Sequence, residues 1–163
     1  MILVLPVGPD GDNGDTGPAG VISNFSMFYG LTTGTGNGGA TDYAATVPVK
    51  TSAGTGRVRV DGSSFTLPDV GTYEITFKVH TTEPGQLELE VDGSELPETV
   101  AVNMNPTLGG HPIIGNAFIT TTVINSILAV INPPGNTPAL PITPADGAST
   151  HANAQSITIK YLG

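Results

Sequence analysis

Tyr73, Ile75, Phe77 and Val79 alternate with Glu74, Thr76, Lys78 and His80, and Leu87, Leu89 and Val91 alternate with Glu88, Glu90 and Asp92. A period of two places successive side chains on opposite faces of a strand, so each run predicts a strand with one buried and one wet face. Asp92-Gly93 then supplies the positive φ angles of a two-residue hairpin turn into a second strand from Glu95 to Val102. Segments at 22–31, 45–49, 57–60, 64–67, 115–123, 124–131 and 155–162 carry the same Thr, Val and Ile enrichment between Gly, Pro and Asn punctuation. Residues 124–131 are apolar on both faces, which predicts a strand covered on both sides. No stretch sustains helical periodicity. About ten short strands in about 140 residues predict an all-β sandwich, most simply a jelly roll.

Upstream of the strands the pattern changes. Gly8, Gly11, Gly14, Gly17 and Gly20 fall at every third position, reading Gly8-Pro9-Asp10, Gly11-Asp12-Asn13, Gly14-Asp15-Thr16, Gly17-Pro18-Ala19. Three polyproline-II chains wind together only where the residue at the crowded axis has no side chain, which makes strict Gly-X-Y the mark of a collagen triple helix. Proline occurs only at the X position, and Asp10, Asp12 and Asp15 place carboxylates around the helix with no Lys to offset them. So short and acidic a helix, roughly 40 Å long, needs a trimer at one end to hold its register. The chain divides accordingly into an apolar peptide at 1–7, a collagen-like stalk at 8–20 and a jelly-roll head at 21–163, with the head as trimerisation unit. Phe28, Tyr73, Phe118 and Tyr161 are the candidates near its threefold axis.

The run Phe65-Thr66-Leu67-Pro68-Asp69-Val70-Gly71-Thr72-Tyr73-Glu74-Ile75-Thr76-Phe77, placed after a short collagen stretch, resembles the complement/tumour-necrosis-factor jelly-roll superfamily. Val91-Asp92-Gly93-Ser94-Glu95-Leu96-Pro97 and Ser156-Ile157-Thr158-Ile159-Lys160-Tyr161-Leu162 resemble more closely the C-terminal domain of the collagen-like exosporium glycoproteins of Bacillus spores. The resemblance covers roughly residues 8–163 and implies a homotrimer without enzymatic activity, located on the surface of a spore or another particle. It also makes Thr16, at a collagen Y position, the candidate for an O-linked sugar.

Charge and composition remove other classes. Five basic residues against fourteen acidic ones give a net charge of −9, without the basic footprint that phosphate contacts require, so no nucleic-acid partner is expected. The absence of Cys excludes disulfides, thiolate metal sites and thiol nucleophiles. Gly34-Thr35-Gly36-Asn37-Gly38-Gly39 matches G-x-G-x-x-G by letter, but residues 40–47 show no helical pattern to receive a pyrophosphate, so a strand connection is expected. Asp10 to Val21 fails the EF-hand spacing at its fifth, sixth and twelfth positions. His80, His111 and His151 are scattered, and the Glu residues that alternate along strands read as a solvated face. Asn24-Phe25-Ser26 fits the N-glycosylation pattern but falls in a predicted strand. No catalytic residue, metal or cofactor is expected.

Met1-Ile2-Leu3-Val4-Leu5-Pro6-Val7 has no basic residue before its apolar run and is too short for a signal h-region. No apolar run approaches the roughly 20 residues of a membrane span, and no membrane partner is expected. Carried at the tip of a trimeric stalk, Ile2, Leu3, Val4, Leu5 and Val7 read as a docking peptide: burial of each side chain contributes about 1.5–3 kcal/mol before ordering costs, and three copies add avidity. Its receptor is either a further copy, head to tail, or an anchoring protein. Three functions remain open: a structural subunit of a spore appendage or exosporium fibre, a head-fibre or decoration protein of a virus or phage, and a receptor- or glycan-binding trimer.

Overall fold

The computed structural model describes residues 24–30, 34–36, 58–61, 63–81, 83–103, 112–136, 140–142 and 154–163. These form eleven strands: β1 (Asn24–Gly30), β2 (Gly34–Gly36), β3 (Arg59–Asp61), β4 (Ser64–Leu67), β5 (Gly71–His80), β6 (Gly85–Val91), β7 (Ser94–Asn103), β8 (Pro112–Thr121), β9 (Ser126–Ile131), β10 (Leu140–Ile142) and β11 (Gln155–Tyr161). Two antiparallel sheets face each other, ordered β1-β11-β5-β8 and β3-β4-β9-β6-β7, and β2 pairs with β10 as a separate ribbon. The chain is an all-β jelly roll. Stalk and N-terminal peptide, the segment 45–49, His111 and His151 lie outside the described residues.

Each alternation read from the sequence turns one face inward. Tyr73, Ile75, Phe77 and Val79 of β5 are buried together with Ile157 and Ile159 of β11 and Ile113 and Ile119 of β8. Phe65 and Leu67, Leu87 and Leu89, and Leu128 and Val130 meet them from the second sheet. The rings of Phe28 (β1) and Phe65 (β4), 5.1 Å apart between centroids, join the two layers. Gly115 faces Phe77 across the β5–β8 ladder, and a methyl there would run into the Phe77 ring.

The turn at Asp92 and Gly93 has φ of 52° and 78°, as the hairpin prediction requires. The Asp92 side chain accepts from the Ile127 N–H at 2.7 Å, and its own N–H donates to the Ile127 carbonyl at 2.8 Å. Other boundaries differ from the sequence reading. The expected strands 115–123 and 124–131 are instead 112–121 and 126–131, because residues 122–125 turn the chain through Asn125 at φ 60°. An Asn tolerates that left-handed conformation better than a branched residue does. On β9, Ala129 and Ile131 are buried on the face away from the core, whereas Ile127 is 42% exposed, so the strand is covered on both sides along only part of its length. Strands β2 and β10, three residues each, are too short to show a period. Gly34–Gly36 pairs with Ile142–Leu140, so the first part of the G-x-G-x-x-G match is strand.

Candidate interaction surface

The outward face of the β1-β11-β5-β8 sheet is built from the residues that the core alternation leaves over. The ladders place Phe25, Lys160, Glu74 and Phe118 in one row across the sheet, Met27, Thr158, Thr76 and Asn116 in the next, and Tyr29, Ser156, Lys78 and Ile114 in a third. Polar groups occupy the middle. Lys160 Nζ donates to Glu74 Oε2 at 2.9 Å, Asn116 donates to the Thr76 hydroxyl at 2.7 Å, and the hydroxyls of Thr72 and Thr120 lie 3.3 Å apart. The hydrogen bond from Lys160 holds the Glu74 carboxyl below its usual range. Apolar groups occupy both margins. Phe25, Met27 and Tyr29 on β1 are half-buried, while Ile114 and Phe118 on β8 are 59% and 66% exposed.

Strand β8 closes the first sheet beside β7, the edge strand of the second. Between them runs an open groove of about 330 Å³ lined by Val91, Leu96, Glu98 and Phe118 among others. Val100 and Val102 of β7 are 37% and 52% exposed, and Val102, the register partner of Gln86, lies on the outward face of the second sheet. Strand β7 itself resists pairing with a further strand. Its register jumps from Leu87–Ala101 to Leu89–Leu96, and Thr99 bridges the gap by accepting from the Leu89 N–H at 2.8 Å and donating to the Leu96 carbonyl at 2.7 Å. Pro97, this bulge and the exposed Glu95 and Glu98 are the devices that block edge-to-edge addition, so whatever contacts this side does so through side chains.

Of the four residues expected near a threefold axis, Phe118 is on this surface. Phe28 and Tyr73 are each 1% exposed within the core of one chain and have no side chain left to offer. Tyr161 is half-buried, its ring 5.0 Å from that of Tyr73 and its hydroxyl donating to the Val70 carbonyl at 2.9 Å. Ile114 was missed, although parity gives it away: on β8 the inward residues are odd-numbered, so Ile114 and Phe118 must point out. His80 is 6% exposed, and its N–H donates to the Ala154 carbonyl at 2.8 Å. Among the described residues no group of three or more His, Asp or Glu side chains is placed to hold a metal.

No protein-family model matches the chain, and no curated protein matches its sequence. Solved structures do match. Murine APRIL, in its crystal structure at pH 5.0, aligns over 85% of this chain and 98% of its own with a TM-score of 0.56 and 14% identity. The globular domain of zebrafish complement 1qA aligns over 84% and 94%, with a TM-score of 0.54 and 10% identity. The vertex protein P5 of PRD1 aligns over 88% and 100%, with a TM-score of 0.53 and 18% identity. At such identities the likeness is one of fold, and it is the jelly roll that the complement/tumour-necrosis-factor resemblance implied.

Proposed function

We propose that the chain is a structural subunit of a particle-surface fibre, trimerising through its head and docking through Ile2–Val7 into a preceding subunit or an anchor. The observation that carries the trimer is the β8 margin of the head, where Ile114 and Phe118 stand exposed and Phe118 lines the groove with Val91, Leu96 and Glu98. Burying side chains of this size is worth about 1.5–3 kcal/mol each, so leaving them in water is costly for a lone head. In the proposed assembly this side packs on the outward face of the next copy's first sheet, against Phe25, Met27 and Tyr29. Glu98, which lines the groove on β7, then faces Lys78 of that sheet, a match in charge. The contact is heterologous, and a threefold rotation closes it into a ring.

The Gly-X-Y stretch at 8–20 joins this ring to the docking peptide, and a spore appendage or exosporium fibre is the particle that the sequence resemblance favours. A second reading, a head-fibre or decoration protein of a virion, draws on the fold shared with the PRD1 vertex protein. Negative-stain microscopy of the purified chain, with and without residues 1–7, tests the proposal. Filaments from the complete chain, lost on truncation while the head stays folded, support self-docking. Attachment only in the presence of a second protein supports an anchor, and assembly that survives truncation contradicts the docking peptide.

A further inference from the structure

Glu88 lies opposite the break in the β6–β7 ladder. That ladder passes from Leu87–Ala101 to Leu89–Leu96, so Pro97, Glu98, Thr99 and Val100 on β7 stand against the one residue Glu88 on β6. Four residues cannot all pair with one, and here the Thr99 hydroxyl takes the place of a backbone partner for the Leu89 N–H. The Glu88 side chain alternates with Leu87 and Leu89, which belong to the core, and so points to the outward face. It is nevertheless 2% exposed, and its Oε1 has no hydrogen-bond partner. Its register partner on β9 is Ile131, and neither β9 nor β8, the other strands beside β6, carries a titratable side chain. Among the described residues, the charges that bear on it are those of Glu95 and Glu98 on β7 and Glu90 on its own strand, all negative.

We propose that the β7 bulge is an acid-locked gate: with Glu88 protonated it stays closed against β6, and with Glu88 ionised residues 97–100 lift away and let water reach the carboxylate. A buried carboxylate without a donor is costly and like charges add to the cost, so the ionised form gains by reaching solvent. The bulge is the place where the sheet gives way most easily, because the Leu89 N–H meets this stretch through a side-chain hydroxyl and not through the ladder. Burial, with the three neighbouring charges, raises the Glu88 carboxyl above its ordinary 4.5. The closed form therefore holds the proton more tightly than the open one, and opening is favoured as pH rises. Glu98, within the moving stretch, lines the groove with Leu96 and Phe118, so the shape of the groove follows the gate. The consequence that the contact between copies follows pH as well rests on the trimer reading above; the gate itself does not.

Amide hydrogen exchange of the full chain, corrected for the intrinsic rate at each pH, tests the gate. The Leu89 amide is expected to open at least about tenfold more often at pH 7.5 than at pH 4.5, since opening gains up to about tenfold per pH unit above 4.5 until the closed form titrates. This opening is local, so at pH 7.5 Leu89 exchanges faster than the amides of β5 and responds little to low urea. In Glu88→Gln, or in Glu88→Leu should the first variant not fold, the difference between the two pH values at Leu89 disappears. A Leu89 amide as protected as those of β5 at pH 7.5, or a pH response that persists in the neutral variant, overturns the gate. Light scattering at both pH values separates this from the trimer: a monomer whose Leu89 behaves as expected keeps the gate and removes the ring, and a trimer whose Leu89 ignores pH does the reverse.

Discussion

The Tyr73 hydroxyl donates to the Asp69 carbonyl at 2.8 Å and accepts from the N–H of the same residue at 3.0 Å. One side chain thus satisfies both backbone groups at the start of the turn between β4 and β5, while its ring sits in the core. Replacing Tyr73 with Phe keeps the ring and strands the Asp69 N–H, while the Asp69 carbonyl keeps only the Thr121 hydroxyl, at 2.9 Å. Chemical denaturation of Tyr73→Phe is expected to show a loss of about 1–3 kcal/mol.

The same residue sets an alkaline limit. Burial pushes the Tyr73 hydroxyl from 10.0 to about 12, so the folded state holds this proton more tightly than the unfolded one. The stabilisation is complete below pH 10 and is lost as pH rises through 12. A denaturation series from pH 9 upward should fall for the natural chain and fall less for Tyr73→Phe.

Glu88 works in the opposite direction at neutral pH. It is 2% exposed, its Oε1 has no hydrogen-bond partner, and burial, followed by the charges of Glu95, Glu98 and Glu90, raises its carboxyl above the ordinary 4.5. A raised value means that its favourable contribution is present below pH 4.5 and lost as pH rises through the folded value. Glu88→Gln should raise the denaturation midpoint at pH 7 and leave it nearly unchanged at pH 4. A lower midpoint at pH 7 would show that the charge has a compensating partner.

Gly115→Ala should cost about 1–3 kcal/mol, because the new methyl meets the Phe77 ring in a packed core. Phe77→Leu in the same chain should restore part of the loss. Additive losses in the double variant would mean that the collision is relieved elsewhere.

These residues also show what the sequence makes legible. Period two in 73–79 and 87–91 marks which face is buried, and the structure keeps it from Tyr73 to Val79, but Glu88, expected on a solvated face, is 2% exposed between Leu87 and Leu89, and His80 is buried beside Val79. The same parity argued against Phe28 and Tyr73 as interface residues, since a side chain in register with Ile75 and Phe77 is already committed to the core. Val123 and Ile124 read as strand because β-branched residues in sequence look extended; the Asn125 backbone turns them outward. Strands β2 and β10 carry no local signal, because a three-residue ribbon is held by its partner and not by its own pattern. Likewise the bulge at Thr99 depends on a hydroxyl reaching the Leu89 N–H, which no spacing rule announces.

The mass of the protein in solution tests the central claim most directly. Light scattering of the natural chain at micromolar concentration should give three times the chain mass of 16.5 kDa, and Phe118→Asp with Ile114→Asp should give a folded species of one chain mass. A natural chain that scatters as a monomer, or a double variant that remains a trimer, would contradict assembly through this side of the head.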